Sequence, residues 1–260
     1  MLTFVGLGLY DERSITVEGK EILAEVDRAV AEFYTSQLVG ATVSDLETYH
    51  GREIEVRDRP GIEQEPDFLD DAEDGHVAFL TAGDPLISTT HVDLRLRAAE
   101  RGIDTRVVHG VTAASAAAGI TGLQNYRFGK ATTLPFEGTH GPGVPDSVVA
   151  TVEANREHGL HTLVFLDIEV GADADGEDRF MTADRAAELL ADPLCDPLGV
   201  AVARAGSPDP VVAADRLSAL AERDFGAPLH LLVVPGDLHH VEAEALEAFA
   251  GAPGALLEPS

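Results

Sequence analysis

The 260-residue chain has a single cysteine, Cys195, and only two lysines, Lys20 and Lys130. One cysteine excludes an intrachain disulfide and fits a reducing compartment. It lies in Asp192-Pro193-Leu194-Cys195-Asp196-Pro197, a proline-punctuated acidic segment whose negative charge opposes a thiolate, which argues against a nucleophilic role. No uninterrupted apolar run approaches the length of a bilayer span, and the N-terminus lacks a basic region followed by an apolar stretch. The expectation is a cytoplasmic protein.

Positive charge is the next scarcity: 18 Lys and Arg stand against 46 Asp and Glu, for a net charge of −28. No basic patch interrupts this balance, so a phosphate backbone would be repelled and nucleic-acid binding is disfavoured. The acidic residues are spread along the chain without long like-charge blocks, which separates the pattern from an interaction tail. Distributed acidity with few lysines is the pattern of proteins from extreme halophiles, where carboxylates keep the surface hydrated.

Several chemistries lack their motifs. Ten histidines are present, but no H-E-x-x-H and no cysteine-containing ligand set occurs, and the adjacent His239 and His240 project in different directions, so no metal site is expected. Ser115 has no G-x-S-x-G setting, which leaves no basis for a serine hydrolase. Gly6-Leu7-Gly8 lacks the third glycine of the dinucleotide fingerprint and its distant acidic partner, so an NAD site is weakly supported.

What is present is a set of apolar strands ending in glycine turns. Leu2-Thr3-Phe4-Val5 runs into Gly6-Leu7-Gly8-Leu9, and His76 to Thr81 runs into Ala82-Gly83-Asp84-Pro85. Such turns at the C-terminal edge of a parallel sheet line binding crevices, because a backbone without Cβ atoms lets a ligand approach closely. Between them, Ser14 or Thr16 can cap a helix carrying Ile22, Leu23 and Val26, and residues 29–34 read as a strand. Residues 43–74 are charged, show no continuous core stripe and read as two short surface helices with a loop. A helix over 93–101 stopped by Gly102 and a strand over 105–109 follow. Alternating strands and helices predict an α/β fold with a mostly parallel sheet over 1–110. The Ala-rich segment from Val111 to Gly119 opens a second α/β domain over 111–260, with strands near 132–136, 162–166, 198–203 and 229–234 and helices over 146–158, 182–191, 217–224 and 239–250.

Four places could carry chemistry, each with an ordinary alternative. Asp84, between a turn glycine and a proline, either aims its carboxylate into the crevice or braces an Asx turn. Thr112 is placed to cap the Ala-rich helix, and that helix start can also offer N–H groups to a ligand. His230, at the head of an apolar strand, is a core histidine or a ligand-facing one. Arg204-Ala205-Gly206-Ser207-Pro208 ends another apolar strand as a plain turn or a crevice wall.

The motifs Gly6-Leu7-Gly8-Leu9, Ala31-Glu32-Phe33-Tyr34-Thr35-Ser36, Gly83-Asp84-Pro85, Thr89-Thr90-His91, Gly119-Ile120-Thr121-Gly122-Leu123-Gln124, Thr162-Leu163-Val164-Phe165-Leu166-Asp167-Ile168, Ala203-Arg204-Ala205-Gly206-Ser207 and Pro235-Gly236-Asp237-Leu238-His239 occur in the order of the diphthine synthases. The chain resembles that family over nearly its whole length. The resemblance implies the tetrapyrrole methylase fold, two α/β domains enclosing a cofactor cleft, and a homodimer. It implies S-adenosyl-L-methionine as cofactor and, as reaction, trimethylation of the amino group of a 3-amino-3-carboxypropyl chain on one histidine of translation elongation factor 2, a step of diphthamide biosynthesis. Carried over by motif, cofactor contacts fall on Leu9, Asp84, Ile87, Thr112, Ala113, Leu166, Ala205 and His230. The chain departs from the family in its acidity and in the segment 171–178, which reads as a halophilic surface loop. Positioning of the acceptor amine in line with the methyl–sulfur bond can supply most of the catalysis, and no residue stands out in the sequence as the general base. A methyltransferase acting on a corrin or porphyrin precursor and a non-catalytic nucleoside-binding module are the rival readings. The Phe33-Tyr34-Thr35-Ser36 and Ala205-Gly206-Ser207 segments favour the protein-modifying branch over the first.

The charge makes a direct prediction. Self-repulsion opposes the compact state at low ionic strength, and the screening length falls from about 10 Å at 0.1 M salt to about 3 Å at 1 M. The melting temperature should therefore rise over this range; a flat or falling trend in a calorimetric salt series would contradict it.

Overall fold

Leu2–Gly6 forms β1, five residues with every side chain buried. A strand covered on both faces reads as a continuous apolar run, and β4 (Val77–Thr81) is of the same kind. In the computed structural model, which describes residues 1–138, 141, 143–171 and 178–257, the chain divides into two compact units, Met1–Ala113 and Ala114–Ser260.

In the first unit, α1 (Val17–Glu25) follows β1 and is capped by the Thr16 hydroxyl, which accepts from the Gly19 amide. Next come β2 (Arg28–Glu32), α2 (Val43–His50), β3 (Glu55–Val56), α3 (Arg59–Glu63), α4 (Phe68–Asp74), β4, α5 (Val92–Glu100) and β5 (Thr105–Val108). The sheet order is β3-β2-β4-β1-β5 and every pairing is parallel, so all five strands end at one edge. Its two faces carry separate cores. Val5, Leu23, Ala31 and Leu80 lie in one, and Phe4, Phe68, Phe79 and Leu94 in the other. Phe79 stacks on Phe68 and meets Phe4 edge-on.

Two expectations are corrected here. Residues 43–74 hold three helices and a strand, and they contribute Leu46, Ile54, Ile62, Phe68, Leu69 and Ala72 to the core. Each element is only one or two turns long, too short for its apolar residues to register as a stripe. The second strand ends at Glu32, two residues early, because the buried Glu32 carboxylate turns back to accept from the amides of Tyr34 and Thr35 at 3.1 and 3.0 Å.

In the second unit, α6 (Ala113–Thr121) begins at the last residue of the first and continues into β6 (Thr132–Leu134), α7 (Asp146–Glu157), β7 (Thr162–Leu166), β8 (Ile168–Glu169), β9 (Arg179–Phe180), α8 (Ala183–Ala191), β10 (Leu198–Ala203), β11 (Val211–Arg216), α9 (Leu217–Leu220), β12 (His230–Val234) and α10 (His240–Ala250). The sheet order is β11-β10-β12-β7-β6, with only the β6–β7 pair parallel, and β8 and β9 form a separate antiparallel pair. Strand β11 is absent from the sequence reading, and α9 is shorter than expected, closing after one turn. Most of the expected acidic insert, residues 172–177, lies outside the described residues.

A buried polar knot ties this unit together. Glu242, in the first turn of α10, is fully buried. Its carboxylate accepts from the amides of Gln124 and His239, both at 2.8 Å, from Arg127 at 3.0 Å and from His161 Nε2 at 3.0 Å. His161 Nδ1 in turn accepts from the Gly236 amide at 3.1 Å. An amide can only donate, so this bond places the single ring proton of a neutral His161 on Nε2, where Glu242 receives it. Burial pushes the Glu242 carboxyl up, but the combined hydrogen bonds from Gln124, His239 and His161 outweigh it and leave the group below its ordinary range. For His161, burial wins over the Glu242 contact and the ring lies below its ordinary 6.5.

Both shifts act in the same direction on stability. Above pH 6.5 neither group costs anything. As pH falls below 6.5 the unfolded chain takes up the His161 proton first, and below the ordinary 4.5 of Glu242 it takes up that proton first as well, so stability declines in each window. Replacing Glu242 with Leu leaves Arg127, His161 and two amides without their acceptor and should cost roughly 3 kcal/mol at pH 7 in chemical denaturation at high salt. It should also remove the loss of stability below pH 4.5 that this carboxylate causes. An unchanged midpoint would show that the knot does not hold the unit together.

Candidate active site

The C-terminal edge of the first sheet is built from backbone. The strand ends of β1, β4 and β5 continue as Gly6, as Ala82-Gly83-Asp84 and as His109-Gly110. A Cβ on Gly6 would fall 2.5 Å from the Gly83 carbonyl oxygen and 2.6 Å from the Gly110 nitrogen, and a Cβ on Gly110 would fall 2.2 Å from that same oxygen. No side chain can occupy either position, so the three strand ends converge only because both residues are glycine. Gly8 and Gly83 then bond reciprocally, Gly83 N–H to the Gly8 carbonyl at 2.7 Å and Gly8 N–H to the Gly83 carbonyl at 3.2 Å.

Asp84 is the polar centre of this edge. Its side chain is 4% exposed, and it accepts from the Leu86 amide at 2.9 Å, from His109 Nδ1 at 2.7 Å and from the Gly110 amide at 3.3 Å. The bond to Leu86 is the Asx brace considered from sequence, and the other two fasten the β4 turn to the end of β5. His109 itself is 70% exposed. Sequence reading passed over it. The only cue was its position beside Gly110, since its partner lies 25 residues away.

The other first-unit candidates lie on the segments that follow β1, β4 and β5. Leu9 follows the Gly8 bridge, half-buried, and its carbonyl accepts from the Ser14 hydroxyl. Thr112 immediately precedes α6 and lies beside Gly83, its Oγ1 being 3.8 Å from where a Gly83 Cβ would stand. Ala113 is the first residue of α6. Ile87, three residues beyond Asp84, is exposed. Below the turn, His91 is 2% exposed, and its Nδ1 donates to the Pro85 carbonyl at 3.0 Å, holding the loop from underneath.

The second-unit candidates also share one sheet edge. Ala203 pairs with His230 and Leu231 with Phe165, so the end of β10, the start of β12 and Leu166 at the end of β7 are neighbours, with Ala205 in the turn after β10. His230 is buried, with Nδ1 accepting from the Ala183 amide at 3.1 Å and Nε2 donating to the Ala227 carbonyl at 2.9 Å. Burial pushes this ring below its ordinary value, in keeping with a neutral, fully engaged imidazole. Arg204 adopts a left-handed backbone at φ 53° and donates to the carbonyls of Phe225 and Ala227, which shapes the turn that presents Ala205. Among the described residues, no group of three or more His, Cys, Asp or Glu could hold a metal, and no helix is long and apolar enough to cross a membrane.

Residues 1–221 match the family described as tetrapyrrole (corrin/porphyrin) methylases. A diphthine synthase from Halorubrum lacusprofundi is 70% identical over 99% of this chain and 100% of its own length. One from Methanosarcina acetivorans is 47% identical over 99% of each. The chain belongs to the diphthine synthases. A crystal structure of a diphthine synthase superposes with a TM-score of 0.89 at 37% identity, covering 100% of this chain and 99% of that one. The α/β architecture is therefore that of the tetrapyrrole methylases, and the chain is a methyltransferase that uses a methyl-donor cofactor. Several of its relatives come from halophilic archaea, Halobacterium salinarum at 66% identity among them, which fits its acidity.

Proposed function

We propose that this chain uses S-adenosyl-L-methionine to trimethylate the amino group of the 3-amino-3-carboxypropyl-histidine on translation elongation factor 2, and that it works as a cytoplasmic homodimer. The observation that supports this best is the side-chain-free edge at Gly6, Gly83 and Gly110, with Asp84 at its centre, in a chain matched end to end by diphthine synthases. The residues present fit a nucleoside-bearing donor. Beside Gly83 the nearest neighbours of a would-be Cβ are atoms of Thr112 at 3.8–3.9 Å, ordinary contact distance, so no bulky side chain crowds this face of the turn.

In the first unit, Leu9, Asp84, Ile87, Thr112 and Ala113 are the proposed donor contacts. In the second, they are Leu166, Ala205 and His230. Because both ring nitrogens of His230 are already bonded, that residue contributes shape and ring edge rather than a hydrogen bond. When bound, the donor supplies a sulfonium methyl, already strongly electrophilic. The protein's part is to fix the turn backbone, keep the amine in line with the methyl–sulfur bond and receive protons the amine sheds.

The test is mass spectrometry of elongation factor 2 already carrying the amino-carboxypropyl group, incubated at high salt with the protein and S-adenosyl-L-methionine. Successive additions ending at three methyls are expected, because a quaternary nitrogen has no lone pair left. The unmodified factor should stay unchanged. Methylation of the unmodified factor, or transfer to a free tetrapyrrole at comparable rate, would overturn the assignment.

A further inference from the structure

The side chain best placed to receive those protons is His109. Asp84 is buried and, as a carboxylate, only accepts, so the 2.7 Å contact puts the proton of a neutral His109 on Nδ1. That leaves Nε2 with its lone pair on a ring that is 70% exposed. The backbone that carries the ring is fixed as well, since the next residue, Gly110, is wedged against Gly6 and Gly83 and its amide also donates to Asp84. A buried carboxylate orienting an imidazole whose far nitrogen is open to solvent is the arrangement that prepares histidine to act as a base.

We propose that His109 is the general base of the methyl transfer and that Asp84 is its positioning residue. The inference rests on the reading that this chain methylates an amine. In each round Nε2 takes one proton from the acceptor's ammonium and the ring becomes an imidazolium held by the Asp84 carboxylate. The freed nitrogen lone pair then forms a bond to the methyl carbon as the carbon–sulfur bond breaks. The bonding pair stays on sulfur, giving a neutral thioether, and the positive charge moves to nitrogen. The exposed ring passes its proton to water before the next round. Three methyls require three protons to leave, and a base with its accepting nitrogen at the surface can discharge between rounds without dismantling the site.

The test uses two variants. His109→Asn keeps an N–H for Asp84 but has no basic nitrogen, and His109→Ala leaves space for added imidazole. Both should melt cooperatively and bind S-adenosylhomocysteine within about threefold of the native protein by calorimetry. Methylation of amino-carboxypropylated elongation factor 2 should slow by about 100-fold or more in each. Imidazole should restore part of the rate to His109→Ala and none to His109→Asn.

A native rate in His109→Asn would overturn the proposal, as would loss of S-adenosylhomocysteine binding in step with the rate, or loss of cooperative melting. The last two outcomes would make the pair a structural brace only. Failure of the native protein to methylate the factor would instead defeat the functional reading above.

Discussion

Close backbone packing at Gly6 and Gly110 is the constraint on which the first unit's chemistry depends. Three parallel strands can bring their ends within contact of the Gly83 carbonyl only if two of those ends carry no side chain. The convergence places the Gly110 amide and His109 against one carboxylate, that of Asp84, which a looser edge could not reach with both. The Asx bond to Leu86 and the His91 bond to the Pro85 carbonyl then hold the loop from either side. A single buried carboxylate thus serves as fold brace and as orienting group, because its two oxygens accept from different partners.

The second unit solves a different problem. Its sheet is mostly antiparallel, and its buried Glu242, His161 and His230 side chains are closed on protein partners. Glu242 has four donors, and His161 and His230 each have both nitrogens bonded. Groups satisfied in this way rigidify an element without offering reactivity. His109 differs from the two buried rings in having one nitrogen fixed and the other facing solvent. That contrast, rather than histidine content, sets it apart from the two buried rings as a group able to exchange protons with solvent.

Much of this was legible in the sequence where one local signal sufficed. β1, β4, β7 and β10 are apolar runs that end in a glycine turn or an acidic residue, and the bounds read from sequence lie within a residue or two of the observed ones. Thr16 reads as a possible helix cap, and its hydroxyl caps α1. The turn residues of the candidate site came from motif order, and the structure gathers them at one edge within each unit. What was missed needed either very short elements or distant partners. Phe68, Leu69 and Ala72 bury one side of a seven-residue helix, which gives periodicity too little length to show. β11, Val-Val-Ala-Ala-Asp-Arg, has only two β-branched residues and is made a strand by pairing with β10. The Glu242 knot joins residues up to 118 positions apart, and the Asp84–His109 pair spans 25, separations at which no spacing rule applies.

The glycine edge of the first unit is the proposed binding place of the methyl donor. Amide hydrogen exchange with and without S-adenosylhomocysteine at high salt, read by segment, tests it most directly. Added protection is expected in residues 6–10, 82–88 and 109–113. Protection confined to other segments, in a preparation shown by calorimetry to be saturated, would contradict it.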